Sequence, residues 1–167
     1  MRTNKKTVAL CRAAIIGALY TALTLLCGLL GLASMPVQLR LSEALCVLAW
    51  FTPAAVPGLF IGCLIANLTM GCVIWDVIFG SLATLIGVYL GSKLKNRWLV
   101  PIPTVISNSV IVPIVIYYCY MDGTGWGVYA FTALGVLAGE IVSAYVIGMA
   151  LLFAIESRKL FKNKKSD

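Results

Sequence analysis

Histidine does not occur anywhere in the 167 residues. Its absence removes the commonest general base and metal ligand, so Ser-His-Asp, Cys-His and His-rich metal chemistries are excluded. Charge is scarce as well, at 11% of the chain, where soluble domains carry about 25%. Six cysteines are present without a Cys-x-x-Cys spacing, and most fall in apolar runs where a thiol acts as a small hydrophobe, so neither a disulfide framework nor a zinc site is expected. A phosphate-binding loop of the form Gly-x-x-x-x-Gly-Lys-Ser/Thr is missing too. The nearest run, Gly87 to Lys93, reads GVYLGSK, which has the wrong spacing and lies in a helical stretch, so nucleotide hydrolysis by that route is excluded. With no paired-carboxylate motif either, the chain is read as a non-enzyme that needs no cofactor and no metal.

What remains is oil. Hydrophobic residues make up 61% of the chain and the mean hydropathy is +0.99, which excludes a water-soluble globule and predicts an all-α membrane protein occupying the whole of residues 1–167 as one integral membrane domain. At about 20 apolar residues per crossing, six spans take most of the chain. Apolar runs place them at about 8–32, 40–52, 54–72, 77–92, 98–120 and 128–156. The first is too long for the apolar stretch of a cleaved signal peptide.

The doubtful stretch is 44–72, where Pro53 and Pro57 interrupt what otherwise reads as one long helix. Charge decides the count. Of the basic residues, Arg2, Lys5, Lys6 and Arg12 open the chain, Lys93, Lys95 and Arg97 lie near its middle, and Arg158, Lys159, Lys162, Lys164 and Lys165 close it. If all three clusters face the cytoplasm, an even number of crossings separates Arg12 from Lys93, which requires splitting 44–72 in two. The expectation is a six-transmembrane-helix bundle with cytoplasmic N and C termini and a short or irregular second helix. Loops near 33–42, 70–76 and 121–127 then share the outer face.

Ionisable side chains within such spans cost roughly 2.5–3.5 kcal/mol each, so those that persist need partners or a polar cavity. Arg40 and Glu43, three residues apart, suit either a local ion pair at the membrane surface or ligand contact. Asp76 suits a helix cap or a place beside them. Asn67 falls where a helix closes before Gly71, and Asn108 suits hydrogen bonding between helices. Glu140 lies deep in the last span with no neutralising neighbour in sequence. On the predicted topology Arg40, Glu43 and Asp76 converge on the outer half, where Gln38, Trp50 and Trp75 can complete a pocket for a flat, polar small molecule. Trp98 and Trp126 read as an interfacial belt; Trp50 and Trp75 fit either role. Small residues recur at four-residue spacing in several helices, mostly for internal packing, but the face of the first helix carrying Ala14, Gly17, Ala18 and Ala22 is expected to dock another protein.

Three blocks carry a family resemblance: Val37 to Leu45 (VQLRLSEAL), Phe51 to Asn67 (FTPAAVPGLFIGCLIAN) and Asp76 to Gly87 (DVIFGSLATLIG). They resemble the QueT family of queuosine-precursor transporters, substrate-binding S components of energy-coupling factor (ECF) transporters. The resemblance implies a multi-pass protein of the bacterial plasma membrane that captures a 7-deazaguanine such as preQ0, preQ1 or queuine from outside. It also implies two kinds of partner, a transmembrane coupling protein met by the small residues of the first helix and two cytoplasmic ATPases, with no nucleic acid. A deazaguanine edge presents N1–H beside an amino group, which a carboxylate accepts in bidentate fashion. Glu43 is expected in that role, with Arg40 holding it ionised. Asn67 or Gln38 is expected to donate to the ring carbonyl, Trp50 or Trp75 to stack, and Asp76 or Glu140 to pair with an aminomethyl cation where the ligand carries one. The alternative is a stand-alone secondary transporter using Glu140 as a proton-coupled carboxylate.

Overall fold

The computed structural model describes residues 4–32, 39–120 and 125–158, and among them all regular structure is helical. Gln38 lies outside the described residues. Helix α1 (Lys5–Leu29) starts where the Asn4 side chain accepts from the Lys6 amide. It ends at Gly31, whose φ of 70° allows the Leu32 amide to reach back to the Cys27 carbonyl at 3.0 Å. Gly71 closes α2 (Ala55–Thr69) in the same way, with the Cys72 amide on the Asn67 carbonyl at 3.1 Å. Asn67 therefore sits in a closing turn, yet its side chain is buried.

Residues Leu41–Trp50 form a 3₁₀ helix. Tighter winding rises about 2.0 Å per residue, so ten residues reach about 20 Å where an α-helix reaches about 15 Å. The chain breaks at Phe51–Ala54. Only Pro53 lies in that break; Pro57, expected to interrupt the chain as well, sits in the first turn of α2, where a missing N–H costs nothing. The connection between the 3₁₀ helix and α2 therefore ends at Ala54.

Helix α3 runs Ile74–Lys93, a turn of 3₁₀ helix covers Arg97–Leu99, and α4 runs Ile102–Tyr120. Helix α5 (Trp126–Glu140) passes through a π-helical stretch, Ile141–Ile147, into α6 (Gly148–Ser157) without a break. Four segments are long and apolar enough to cross a membrane: Lys5–Leu29, Ile74–Lys93, Arg97–Tyr120 and Trp126–Ser157. Leu41–Trp50 and Ala55–Thr69 are shorter apolar helices.

The 3₁₀ helix is the axis of the bundle. Every residue from Ser42 to Trp50 is buried, against α1, α2, α3, α6 and the π-helical stretch. Helix directions alternate, so the start of α1 lies beside Thr52, Pro53 and Ala54, and Arg97 pairs with Glu156 at 2.9 Å. At the opposite end Gly28 meets Met70.

Helices α1 and α2 touch backbone to backbone. A Cβ on Gly62 would stand 2.6 Å from the Gly17 carbonyl oxygen, and one on Gly58 2.6 Å from that of Ala13. Gly17, expected on a partner-docking face, is buried in this seam; Ala14, Ala18 and Ala22 face outward. Overpacking such a contact costs about 1–3 kcal/mol. Gly62→Val is therefore expected to lower the melting temperature of the detergent-solubilised protein by several degrees. Gly127→Ala, where a Cβ would meet nothing within 4 Å, should leave it unchanged or raise it.

Candidate functional site

Glu43, at the head of the 3₁₀ helix, is 0% exposed. Its Oε1 accepts from the Tyr20 hydroxyl of α1 and from Thr84 Oγ1 of α3, the latter at 3.3 Å. One turn beyond Tyr20, Thr24 donates to Ser42 Oγ at 2.8 Å, fixing the same two elements together. Arg40 is half-buried. Of the two readings open for Arg40 and Glu43, the local i,i+3 ion pair is not made: among the described residues Arg40 bridges neither Glu43 nor Asp76 directly. Its charge is nonetheless close enough to act on Tyr20, Glu43 and Asp76 through space.

Asn67 of α2 and Asp76 of α3 flank Gly80, where a Cβ would come within 3.3 Å of Asp76 Oδ1 and 3.4 Å of Asn67 Nδ2. Asp76 is not the cap of α3. That position is Val73, whose amide donates to the Tyr120 hydroxyl at 3.1 Å. Asp76 lies in the first turn, 7% exposed, and its Oδ2 accepts from Tyr120 at 3.3 Å. The negative charge suits the positive end of the helix dipole. On the far side of Glu43, Asn108 of α4 donates from Nδ2 to Glu140 Oε1 at 3.1 Å and also lies against Glu43. Glu140, read from sequence as lacking any neutralising neighbour, thus has an amide partner and stands within electrostatic reach of Arg40.

The cluster gathers Arg40, Glu43, Asn67, Asp76 and Glu140 from four elements. It does not include the tryptophans. Trp75 is 55% exposed, stacks on Phe79 at 6.0 Å and lines an outward groove with Ile111, Ile114 and Tyr118. Trp50 is buried seven residues along the 3₁₀ helix from Glu43, about 14 Å away at 2.0 Å per residue. Neither is placed to stack on a ligand held by Glu43. Trp98 and Trp126 are both exposed.

Tyr20, Thr84 and Tyr120 were not expected. A signal existed for the first two in four-residue spacing: Tyr20 and Thr24, Cys63 and Asn67, Asp76, Gly80 and Thr84, and Thr104 and Asn108 each form one stripe of a helix. All of these residues are buried.

Several buried oxygens have no hydrogen-bond partner among the described residues: Glu43 Oε2, Asn67 Oδ1, Asp76 Oδ1, Asn108 Oδ1 and Glu140 Oε2. All are acceptors, and a buried polar group left unmatched costs about 1–3 kcal/mol. The arrangement is therefore complementary to a ligand rich in N–H donors. Among the described residues no three His, Cys, Asp or Glu side chains are grouped as a metal site requires.

A multi-pass membrane protein enclosing a carboxylate-rich cluster between apolar helices is the class these features define. The chain belongs to the QueT transporter family, whose model matches residues 10–157. It is 38% identical over 95 residues to the queuosine precursor transporter QueT of Lactococcus lactis subsp. cremoris (strain MG1363). That stretch covers 57% of this chain and 56% of the relative, so the match spans little more than half of either. No solved structure matches.

Tyr20→Phe removes a hydrogen bond to a buried carboxylate, worth about 1.5–3 kcal/mol. The variant is expected to melt at a clearly lower temperature in detergent without ligand; an unchanged melting curve would show that Tyr20 does not support Glu43.

Proposed function

We propose that the chain is the substrate-binding membrane subunit of an ATP-driven importer of the energy-coupling factor type, and that it captures a queuosine precursor, a 7-deazaguanine, from outside the cell. The observation that carries this reading is the acceptor set around Glu43. The Glu43 carboxylate, anchored at Oε1, turns Oε2 toward N1–H and the exocyclic amino group of the heterocycle. Arg40 supplies positive charge within electrostatic reach of Glu43, and Asn67 Nδ2, which lies against Gly80, serves the ring carbonyl. Family membership and the printed function of the Lactococcus relative support the substrate class.

The topology proposed with it has six crossings and both termini in the cytoplasm of a bacterial cell. Support comes from the alternating helix directions, which bring Lys5, Arg12, Lys93, Arg97 and Arg158 to one end of the bundle, as the positive-inside rule requires. The 3₁₀ helix and α2 are each short for a ~30 Å hydrocarbon layer; the 3₁₀ helix is enclosed by the other helices, and α2 packs along α1 and α3. Partners follow from the same reading: a coupling protein that docks on the exposed row Ala14, Ala18 and Ala22, beside a groove shared with Ile61 and Ile65, and two ATPases.

Titration of the purified chain with 7-deazaguanines and guanine tests the substrate assignment. Glu43→Gln halves the acceptor capacity and removes the charge, and should weaken binding by about 100-fold. Trp75→Ala, on the outer surface, should stay within about twofold of the parent. Absence of binding to every ligand defeats the assignment.

The partnership is tested separately. Ala18→Trp is expected to abolish uptake in cells co-expressing the ATPases while the purified variant binds ligand normally. Uptake into vesicles containing this chain alone would overturn the partnership in favour of ion-coupled transport through Glu140.

A further inference from the structure

The polar cluster has two ends of different chemistry. Around Glu43 the carboxylate is already held on one oxygen by two hydroxyls, and the nearest cation is Arg40. The other end, between α4 and the junction of α5 with the π-helical stretch, has no cation of its own among the described residues. There Glu140 Oε1 is pinned by Asn108, while Glu140 Oε2, Asn108 Oδ1, Thr104 Oγ1 and Ser143 Oγ are buried without a partner among the described residues. Thr104 lies one turn before Asn108 and Ser143 three residues after Glu140, so the four oxygens belong to two adjoining faces. Cys46, one 3₁₀ turn beyond Glu43, is close enough to Thr104, Glu43 and Glu140 to interact with all three.

Charge points the same way. Three buried carboxylates, Glu43, Asp76 and Glu140, share Arg40 as their nearby cation among the described residues. Buried charge without a counter-charge is strongly disfavoured, so a positively charged ligand group is what this end is built to receive. A primary ammonium has three N–H donors and no acceptor, which matches a carboxylate oxygen, an amide oxygen and hydroxyls converging from two helices. A nitrile in the same place could accept from the hydroxyls but would leave Glu140 Oε2 and Asn108 Oδ1 unmatched. Asp76 is the weaker candidate, because Tyr120 occupies its Oδ2.

We propose that Glu140, Asn108, Thr104 and Ser143 form a subsite for a primary ammonium group carried by the ligand, adjoining the Glu43 carboxylate that takes the heterocycle edge. This rests on the reading of the cluster as a 7-deazaguanine site. It makes Glu140 the residue that sets preference among ligands sharing that edge.

The test is a binding titration of the full-length purified chain with 7-aminomethyl-7-deazaguanine, 7-cyano-7-deazaguanine and guanine. The parent should bind the aminomethyl compound at least tenfold more tightly than the other two. In Glu140→Gln the ratio of aminomethyl to guanine affinity should fall by at least tenfold, and Glu140→Asp, which keeps the charge, should retain part of it. A purely structural role for Glu140 would weaken all ligands alike and leave the ratio intact, which overturns the subsite. Equal binding of nitrile and aminomethyl compounds to the parent also overturns it while leaving the heterocycle site standing. No binding of any of the three removes both. Should Glu140→Gln fail to fold, Ser143→Ala and Thr104→Val, each removing one hydroxyl, are expected to lower the same ratio about threefold, and an unchanged ratio in both counts against the subsite.

Discussion

Glu43 has no exposed surface, and a carboxylate taken out of water costs several kcal/mol unless hydrogen bonds and an opposite charge replace its hydration. Tyr20 and Thr84 supply the hydrogen bonds and Arg40 the charge. Those three groups come from α1, α3 and the residue preceding the 3₁₀ helix, so satisfying one carboxylate fixes the relative position of three elements. The glycine seam serves the same end. Without side chains at Gly17, Gly58 and Gly62, α1 and α2 approach to backbone contact, and Tyr20 packs over Gly62 on its way to Glu43.

The central 3₁₀ helix answers a second constraint. Such helices are rarely longer than a turn or so because their hydrogen bonds are less well aligned. Here the weaker ladder is shielded on all sides by longer helices, so water does not compete for its amides. Tighter winding gives ten residues more reach along the bundle axis and aligns Glu43 with Cys46, both of which face Glu140. A polar column thus runs inside an apolar bundle. The π-helical stretch after Glu140 is a second departure from regular winding beside the same cluster, and such stretches are frequent at functional sites.

Family membership and the cluster support each other without being the same argument. The family model covers residues 10–157, which contain every polar side chain of the cluster. The chemistry of those side chains, five unmatched acceptor oxygens beside Arg40, is independent of any relative. It would suit a donor-rich heterocycle on any fold.

Composition and hydropathy fixed the membrane character, the helical class and the scarcity of charge that made Arg40, Glu43, Asp76 and Glu140 conspicuous, because the cost of burying charge in lipid leaves few such residues to choose from. Gly31 and Gly71 marked helix ends, since a positive φ suits glycine. Facing directions were another matter. In helices apolar nearly all round, a few polar residues at four-residue spacing are the one mark of the inward side, and the apolar residues between them carry none. Trp75, one residue before Asp76, therefore points outward while Asp76 is buried, and Trp50 ends up far along the axis from Glu43. Tyr20, Thr84 and Asn108 became partners of the two glutamates only when distant helices packed together, because local spacing marks an inward side but not which residue 23, 41 or 32 positions away is met there.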